Sequence, residues 1–269
     1  VSELAVLGNV AIDVIDGGPP KIGGGPFHCG QGLRLLQRRA RIVAKCAPED
    51  RTLVARPLTA LGLPVTMLDA RQTASFELRY EGEVRTTVLR AAGDPWSPAD
   101  VERVGDVRWV HVAPLVQTDF PADALAQLAD GRRVSYDGQG LVRCAELGPV
   151  RFDGEFDRDV LQHISFLKLA EEEASAFMPR VTDEAIFRLG VPEVVVTLGS
   201  RGSIVYADGE STPVPCRPIH GVDLTGCGDA FGVGYLAARS DGLGPIGAAR
   251  RATALVALLL TNRRRVMAR

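Results

Sequence analysis

Short apolar runs alternate along this chain with stretches of helical spacing, and the order of the two predicts the architecture. Leu4-Ala5-Val6-Leu7-Gly8 is apolar throughout and closes on a glycine, as a parallel strand buried on both faces should. Leu33, Leu35 and Leu36 carry a helical pattern, and Arg41-Ile42-Val43-Ala44-Lys45 reads as the second strand. A helix stopped by Gly62 leads to a strand at Pro64-Val65-Thr66-Met67-Leu68. From Asp106 the rhythm resumes: strand 109–113, helix 121–128, strand 133–137, strand 164–168 running into a helix start at 169–174, and strand 193–199 turning back into a β run by Tyr206. Helices over 230–238 and 245–260 follow, and Asn262 to Arg265 reads as a solvated tail.

One stretch breaks the rhythm. Ser75 to Tyr80 and Arg85 to Leu89 alternate in polarity about the turn Glu81-Gly82-Glu83, the pattern of a half-exposed hairpin. Such a hairpin is either an edge of the main sheet or a cover over a site.

Composition narrows the field. The chain has 269 residues, 46% of them hydrophobic, enough for one large α/β domain or two small ones, and no repeat or low-complexity linker divides it. A net charge of −2 offers no basic field for nucleic acid or a membrane surface. Lysine occurs only at Lys21, Lys45 and Lys168. Cys29, Cys46, Cys144, Cys216 and Cys227 are odd in number and lack C-x-x-C spacing, which fits a reducing cytoplasm better than a disulfide framework or zinc site. The chain enters a strand at once, leaving no room for a signal peptide. Its longest apolar run, Ala254 to Leu260, is far short of the roughly 20 residues of a membrane span.

The chemistry concentrates in Asp223-Leu224-Thr225-Gly226-Cys227-Gly228-Asp229-Ala230-Phe231. Glycines open a helix whose bare N–H groups and dipole suit an anion. Asp229 stands where that anion would sit, so it suits a general base taking a hydroxyl proton; a simple N-cap is the competing reading. Upstream, Asn9 and Asp13 follow the first strand at the end where open α/β sheets bind ligands. A carboxylate can accept from two vicinal hydroxyls, which suits Asp13 to a polyol. Ile22-Gly23-Gly24-Gly25-Pro26-Phe27-His28 allows close backbone approach before a helix. It is not a dinucleotide fingerprint, since G-x-G-x-x-G should follow the first strand directly, and a dehydrogenase is set aside on that ground.

Asp223 to Asp229 resembles the D-T-T-G-A-G-D signature of the PfkB (ribokinase-like) carbohydrate kinases, with Leu224 and Cys227 as departures. The resemblance spans nearly the whole chain and implies a single domain, residues 1–269: a ribokinase-like, doubly wound, mostly parallel α/β sheet flanked by helices. It implies a small β-lid built from residues of about 14–24 and 75–90, through which some members dimerise. It also implies ATP and Mg²⁺ as cofactors and a small polyol as partner. On that resemblance Asp229 is the base and the amides of Gly226, Cys227 and Gly228 hold the transferring phosphoryl group. Asn9, Asp13, Gly24, Gly25, His28, Gln139 and Arg143 bind the acceptor, with His28 replacing an expected Asn. Thr197, Gly199, Gly202, Thr225 and Ala252 line the nucleotide, where small residues on the last helix pack against an adenine. Glu173 and Asp223 hold the metal through water. Ala170 replaces the Asn of the N-x-x-E motif that ends in Glu173, which weakens the metal site without removing it. The expected activity is phosphorylation of a sugar, cyclitol or nucleoside. His28, the Asp137-to-Arg143 loop and the missing Asn resemble the inositol-kinase-like branch and favour a myo-inositol-like acceptor. The alternative is a non-catalytic sugar or nucleotide sensor on a kinase scaffold.

Overall fold

The structure, a computed structural model, describes residues 4–81 and 84–267. In chain order its strands are β1 (Leu4–Asn9), β2 (Ala11–Ile15), β3 (Lys21–Gly23), β4 (Ala40–Cys46), β5 (Val65–Asp69), β6 (Ala74–Glu81), β7 (Val84–Ala91), β8 (Trp109–Val112), β9 (Arg133–Asp137), β10 (Gly148–Pro149), β11 (Phe166–Ala170), β12 (Glu193–Thr197), β13 (Ser203–Ala207) and β14 (Glu210–Val214). Its helices are α1 (Gly25–Leu35), α2 (Arg51–Thr59), α3 (Pro98–Glu102), α4 (Ala122–Ala129), α5 (Gln139–Val142), α6 (Glu171–Phe177), α7 (Asp183–Phe187), α8 (Cys227–Ser240) and α9 (Pro245–Met267). The turn residues Gly82 and Glu83 lie outside the described residues.

Among the described residues, nine strands make the main sheet in the order β14-β13-β12-β11-β9-β8-β1-β4-β5. Its strands from β5 to β12 run parallel, and β13 and β14 close one edge antiparallel. The order reverses at β1: β4 and β5 build outward on one side of it, β8, β9, β11 and β12 on the other. The crevice at such a reversal, above the strands' carboxyl ends, is where an open α/β sheet can seat a ligand. Asn9, Asp137, Ala170 and Thr197 all end strands on that rim.

The hairpin is a separate cover rather than an edge of the main sheet. β10, β7, β6, β2 and β3 form a second sheet in that order. Only Val10 separates β1 from β2, so the chain passes from one sheet straight into the other. Ala11, Phe76, Leu78 and Leu89 bury one face of this lid with Leu115 and Val116, as the alternating pattern requires.

Packing holds α8, the helix that carries Asp229, against the sheet. Tyr235 stacks on Phe166 with ring centroids 4.0 Å apart. Its hydroxyl donates to Glu193 Oε2 at 2.6 Å, and Arg239 pairs with Glu193 at 2.7 Å. His111 lies fully buried in β8 with Nδ1 2.8 Å from Ser135 Oγ, and burial pushes its pKa down to about 4, so the ring is neutral. On the outer side α9 presses Ala248, Ala249 and Ala252 into the same cluster as Phe231 and Tyr235.

Some boundaries differ from the sequence reading. The strand expected at 164–168 begins at Phe166 and runs to Ala170, because a 3-10 segment over Arg158–His163 takes up the chain before it. The strand expected at 193–199 stops at Thr197, where Gly199–Arg201 turns. The supposed tail at 262–265 is helical: α9 continues to Met267. Its helical face is no longer apolar there, which is why the pattern seemed to end at Leu260; polar contacts hold the last turns instead.

Candidate active site

The turn before α8 is built by its own side chains. Asp223 Oδ1 accepts from the Thr225 amide at 2.9 Å and from the Thr225 hydroxyl at 2.7 Å, an Asx-type turn that aims the chain into the helix. Partial desolvation raises the pKa of the Asp223 carboxyl, but those two bonds, with Arg263 and His28 nearby, outweigh it and hold the carboxyl below its usual value. Gly226 then adopts φ 75°, a left-handed conformation that L residues resist. A Cβ there would also lie 2.6 Å from His28 Cγ. Glycine is required on both counts.

Three amides were expected to line an anion site, and the structure separates them. The Cys227 N–H donates to Leu224 O at 3.1 Å and is spent inside the turn. The first full helical bond runs from Ala230 N–H to Gly226 O at 2.9 Å, which leaves the amides of Gly228 and Asp229 as orphan donors of the helix start. The Cys227 thiol is pushed up to about 11 by burial and stays protonated.

Asp229 points inward from this turn. Its Oδ1 is buried and has no hydrogen-bond partner. Burial raises its pKa; His28 opposes that most, and Lys168 and Arg143 oppose it less. A Cβ at Gly25 would meet Ala113 Cβ at 2.3 Å and that oxygen at 3.1 Å, so the glycine lets the start of α1 lie close against both. His28, one turn along α1, packs its ring on Gly226, and its buried Nδ1 also lacks a partner. Two unpaired polar atoms beside an open helix start are costly unless something binds there.

The lid and α1 bound the region where an acceptor was expected. Asp13 lies on β2 with its carboxylate against Gly23, and Phe76 is opposite it in register on β6. The Arg143 guanidinium stands 5.8 Å from the Phe76 ring centroid and donates to Leu115 O at 3.3 Å. Gly24, at φ 88°, caps α1 against the backbone of Asn9 and Val10. Gln139 turns its side chain to Pro114 O at 2.6 Å, so its amide braces the rim.

Asn9 is not brought to the site. It is buried, donates from Nδ2 to Asp94 O at 3.2 Å and accepts at Oδ1 from Trp96 Nε1 at 3.1 Å. It anchors the loop that carries Trp96, itself stacked on Phe120. Asn9→Ala is therefore expected to cost about 1–3 kcal/mol of stability through the buried groups left unpaired, measured by urea unfolding. The acceptor KM should stay unchanged.

Where a nucleotide was expected, Thr197 ends β12 and its hydroxyl donates to Leu169 O at 3.2 Å. Gly199 and Gly202 bracket the following turn, both with positive φ. Ala252 is withdrawn from this face: it is fully buried between α8 and α9, and so are Ala248 and Ala249. The small residues expected to meet an adenine meet the protein's own core.

Sequence reasoning missed three groups here. Arg263 donates from Nη1 to Asp223 O at 2.8 Å and to Thr225 O at 2.7 Å, tying the end of α9 to the turn. Arg263→Ala should lower kcat about 10-fold, roughly 1.4 kcal/mol, through a loosened turn, while the melting temperature hardly moves. The other two are Asp137 and Lys168. Lys168 Nζ lies 3.2 Å from Asp137 Oδ1 and 3.6 Å from Glu173 Oε2, all three side chains buried. Burial would depress the lysine pKa, but Asp137, then Glu173 and Asp229, hold it above the ordinary lysine range.

Glu173 was expected near a metal. Its Oε2 accepts from the Ala170 amide at 2.7 Å, capping α6, and faces Lys168. Among the described residues no group of three or more His, Cys, Asp or Glu side chains could cage an ion. A hard cation that keeps its own waters needs no such cage and can be held at one remove by acids such as Glu173 and Asp223.

The pfkB family carbohydrate kinase model matches residues 66–264. The chain belongs to the pfkB family. Within the family it is 25% identical over 166 residues to ribokinase of Bacillus subtilis (strain 168), a match covering 60% of this chain and 53% of that protein, about half its length. It is 25% identical over 267 residues to fructokinase of Klebsiella pneumoniae, covering 87% of this chain and 83% of that protein. Its structure superposes on a pyrophosphate-dependent kinase of the ribokinase family complexed with a pyrophosphate analog and myo-inositol, with a TM-score of 0.83 at 26% identity, covering 96% of this chain and 95% of that one. That superposition spans nearly the whole pfkB-family chain, both sheets included. Among the described residues of this pfkB-family chain no helix is long and apolar enough to cross a membrane.

Proposed function

We propose that the protein transfers a phosphoryl group to one hydroxyl of a small polyol, with a cyclitol of the myo-inositol type as the favoured acceptor. The observation that carries this reading is Asp229: a half-buried carboxylate with one buried, unpaired oxygen, at the open amides of a helix start and beside the bare Gly25. Asp13 holds vicinal hydroxyls of the acceptor beneath the lid and presents a third to Asp229. As the acceptor oxygen attacks, its proton passes to Asp229. The new O–P bond forms while the bridging P–O bond of the donor breaks, and that electron pair leaves with the departing phosphate. The amides of Gly228 and Asp229 and the positive end of α8 stabilise the charge on the transferred group. Mg²⁺, when bound through water to Glu173 and Asp223, supplies charge neutralisation for the donor phosphates.

ATP is the donor that the signature resemblance implies. A second reading, pyrophosphate, is favoured by one observation: Ala248, Ala249 and Ala252 are buried in the core and offer no wall for a base. The likeness to a pyrophosphate-dependent kinase complexed with myo-inositol supports both the smaller donor and the cyclitol.

The test is kcat/KM for myo-inositol and other cyclitols, ribose, fructose and adenosine, each with ATP and with pyrophosphate plus Mg²⁺. A cyclitol should lead. If ribose or adenosine exceeds every cyclitol by tenfold, about 1.4 kcal/mol of transition-state preference, the acceptor assignment falls and the kinase reading stands. Binding without turnover on every pair would instead favour a sensor.

A further inference from the structure

Three lysines occur in the chain against a large excess of arginine, and one of them is buried beneath the glycine turn. Lys168 is the middle residue of β11, two residues before Ala170, the cap of α6. Its Nζ touches both oxygens of Asp137, at 3.2 and 3.3 Å, and faces Glu173 at 3.6 Å. Two carboxylates around one ammonium would make a sufficient structural pair. A third relation goes beyond such a pair. A Cβ built on Gly228 would stand 3.2 Å from Nζ and 3.6 Å from Cε, with no other neighbour within 4 Å. The bare Cα of Gly228 is thus a window between the buried ammonium and the first turn of α8.

We propose that Lys168 is a catalytic residue that reaches through this window to an oxygen of the transferred phosphoryl group. The inference rests on the kinase reading above. In that step the acceptor O–P bond forms, the donor's bridging P–O bond breaks, and the acceptor proton goes to Asp229. Lys168 exchanges no proton and neutralises charge on the equatorial oxygens. A lysine fits this place better than an arginine. Its compact point charge can shift between Asp137 and a phosphate oxygen, whereas a planar fork would be locked on the carboxylate. The two acids keep Lys168 charged without a ligand, so the cation is in place before the donor arrives.

Two variants separate this role from a structural one. Lys168→Met removes the charge and leaves Asp137 and Glu173 unpaired, which threatens folding. Gly228→Ala keeps the amide, the ammonium and both carboxylates, favours the helix, and places a methyl group in the window, 3.2 Å from an Nζ that need shift only by tenths of an ångström. Binding of methylenebisphosphonate and of a non-hydrolysable ATP analogue, with Mg²⁺, is measured by calorimetry alongside steady-state kinetics on the best polyol. Gly228→Ala should melt no lower than wild type and bind its preferred analogue about tenfold more weakly. Its kcat should fall about 10²-fold or more while the acceptor KM stays within about threefold of wild type. A folded Lys168→Met should show the same split. Wild-type turnover and analogue affinity in Gly228→Ala overturn the proposal, as does a folded Lys168→Met that binds and turns over normally. Wild-type protein that transfers phosphate to nothing in the panel brings down the kinase reading, and the Lys168 assignment with it.

Discussion

Asp229→Asn is expected to lower kcat on the preferred acceptor by about 10³-fold while the protein stays folded. The reason is local. Asparagine matches aspartate in shape and fits the same space beside Gly25 and His28, but it cannot take the acceptor's proton. Because one oxygen of Asp229 is unpaired in the folded chain, the substitution breaks no internal bond there, and stability should hold or rise. The pH profile provides a second check. A base works ionised, so activity falls as pH drops through its pKa. Burial raises the Asp229 value, so the acid limb of kcat/KM should lie above the ~3.9 of an exposed aspartate. His28 is the largest influence opposing that rise. Its replacement by Asn should move the limb to still higher pH. Turnover within tenfold of wild type in Asp229→Asn, or an acid limb at or below 3.9, would remove Asp229 from the role of base.

Gly226→Ala should be nearly as damaging by a different route. The residue sits at φ 75°, where an L side chain is strained by about 1–2 kcal/mol. Its Cβ would meet the His28 ring at 2.6 Å, closer than any real contact, so the turn or the ring must move. Either movement displaces the donors of α8 or a group beside Asp229. A loss of about 10²-fold or more in kcat is expected, with a melting temperature lower by roughly 4–8 °C per kcal/mol for a small domain and less for one this size. Combining Gly226→Ala with His28→Ala removes the ring atoms at 2.6 and 2.7 Å but keeps the residue-28 Cβ at 2.8 Å, so the clash is eased rather than abolished and the backbone strain stays. The double variant should then regain part of the stability that the single one loses, a non-additivity expected of residues in contact. Independent, additive effects would show that the turn and α1 do not support each other.

The fold was largely legible before the structure. Runs such as Leu4 to Gly8 and Val194 to Val196 are apolar throughout because a parallel strand is buried on both faces, and burial of that kind leaves a direct trace in the pattern. The hairpin at 75–89 declared itself by alternation. That it belongs to a separate lid depended on β2 pairing with β6, a parallel contact between segments some sixty residues apart in the chain. The glycine turn was legible for a similar reason, since a left-handed backbone and a close ring leave few residues to choose from.

What the chain could not announce by itself is which polar groups spend their hydrogen bonds inside the protein. Asn9 stood at the right end of the right strand, yet Trp96 and Asp94 claim its amide. Ala252 had the size suited to a ligand contact, but a small residue suits helix packing equally well, and α8 took it. Arg263 looked like part of a tail because helical periodicity is read from apolar spacing, and the last turns of α9 are held by polar contacts to the Asp223–Thr225 turn. Lys168 and Asp137 lie 31 residues apart on neighbouring strands. The sequence by itself determined the strand rhythm, the lid hairpin and the glycine turn before α8, because backbone conformation and burial act on neighbours in the chain. The partners of each polar group were decided only by tertiary structure, because hydrogen bonds and ion pairs depend on distances between segments that no local pattern encodes.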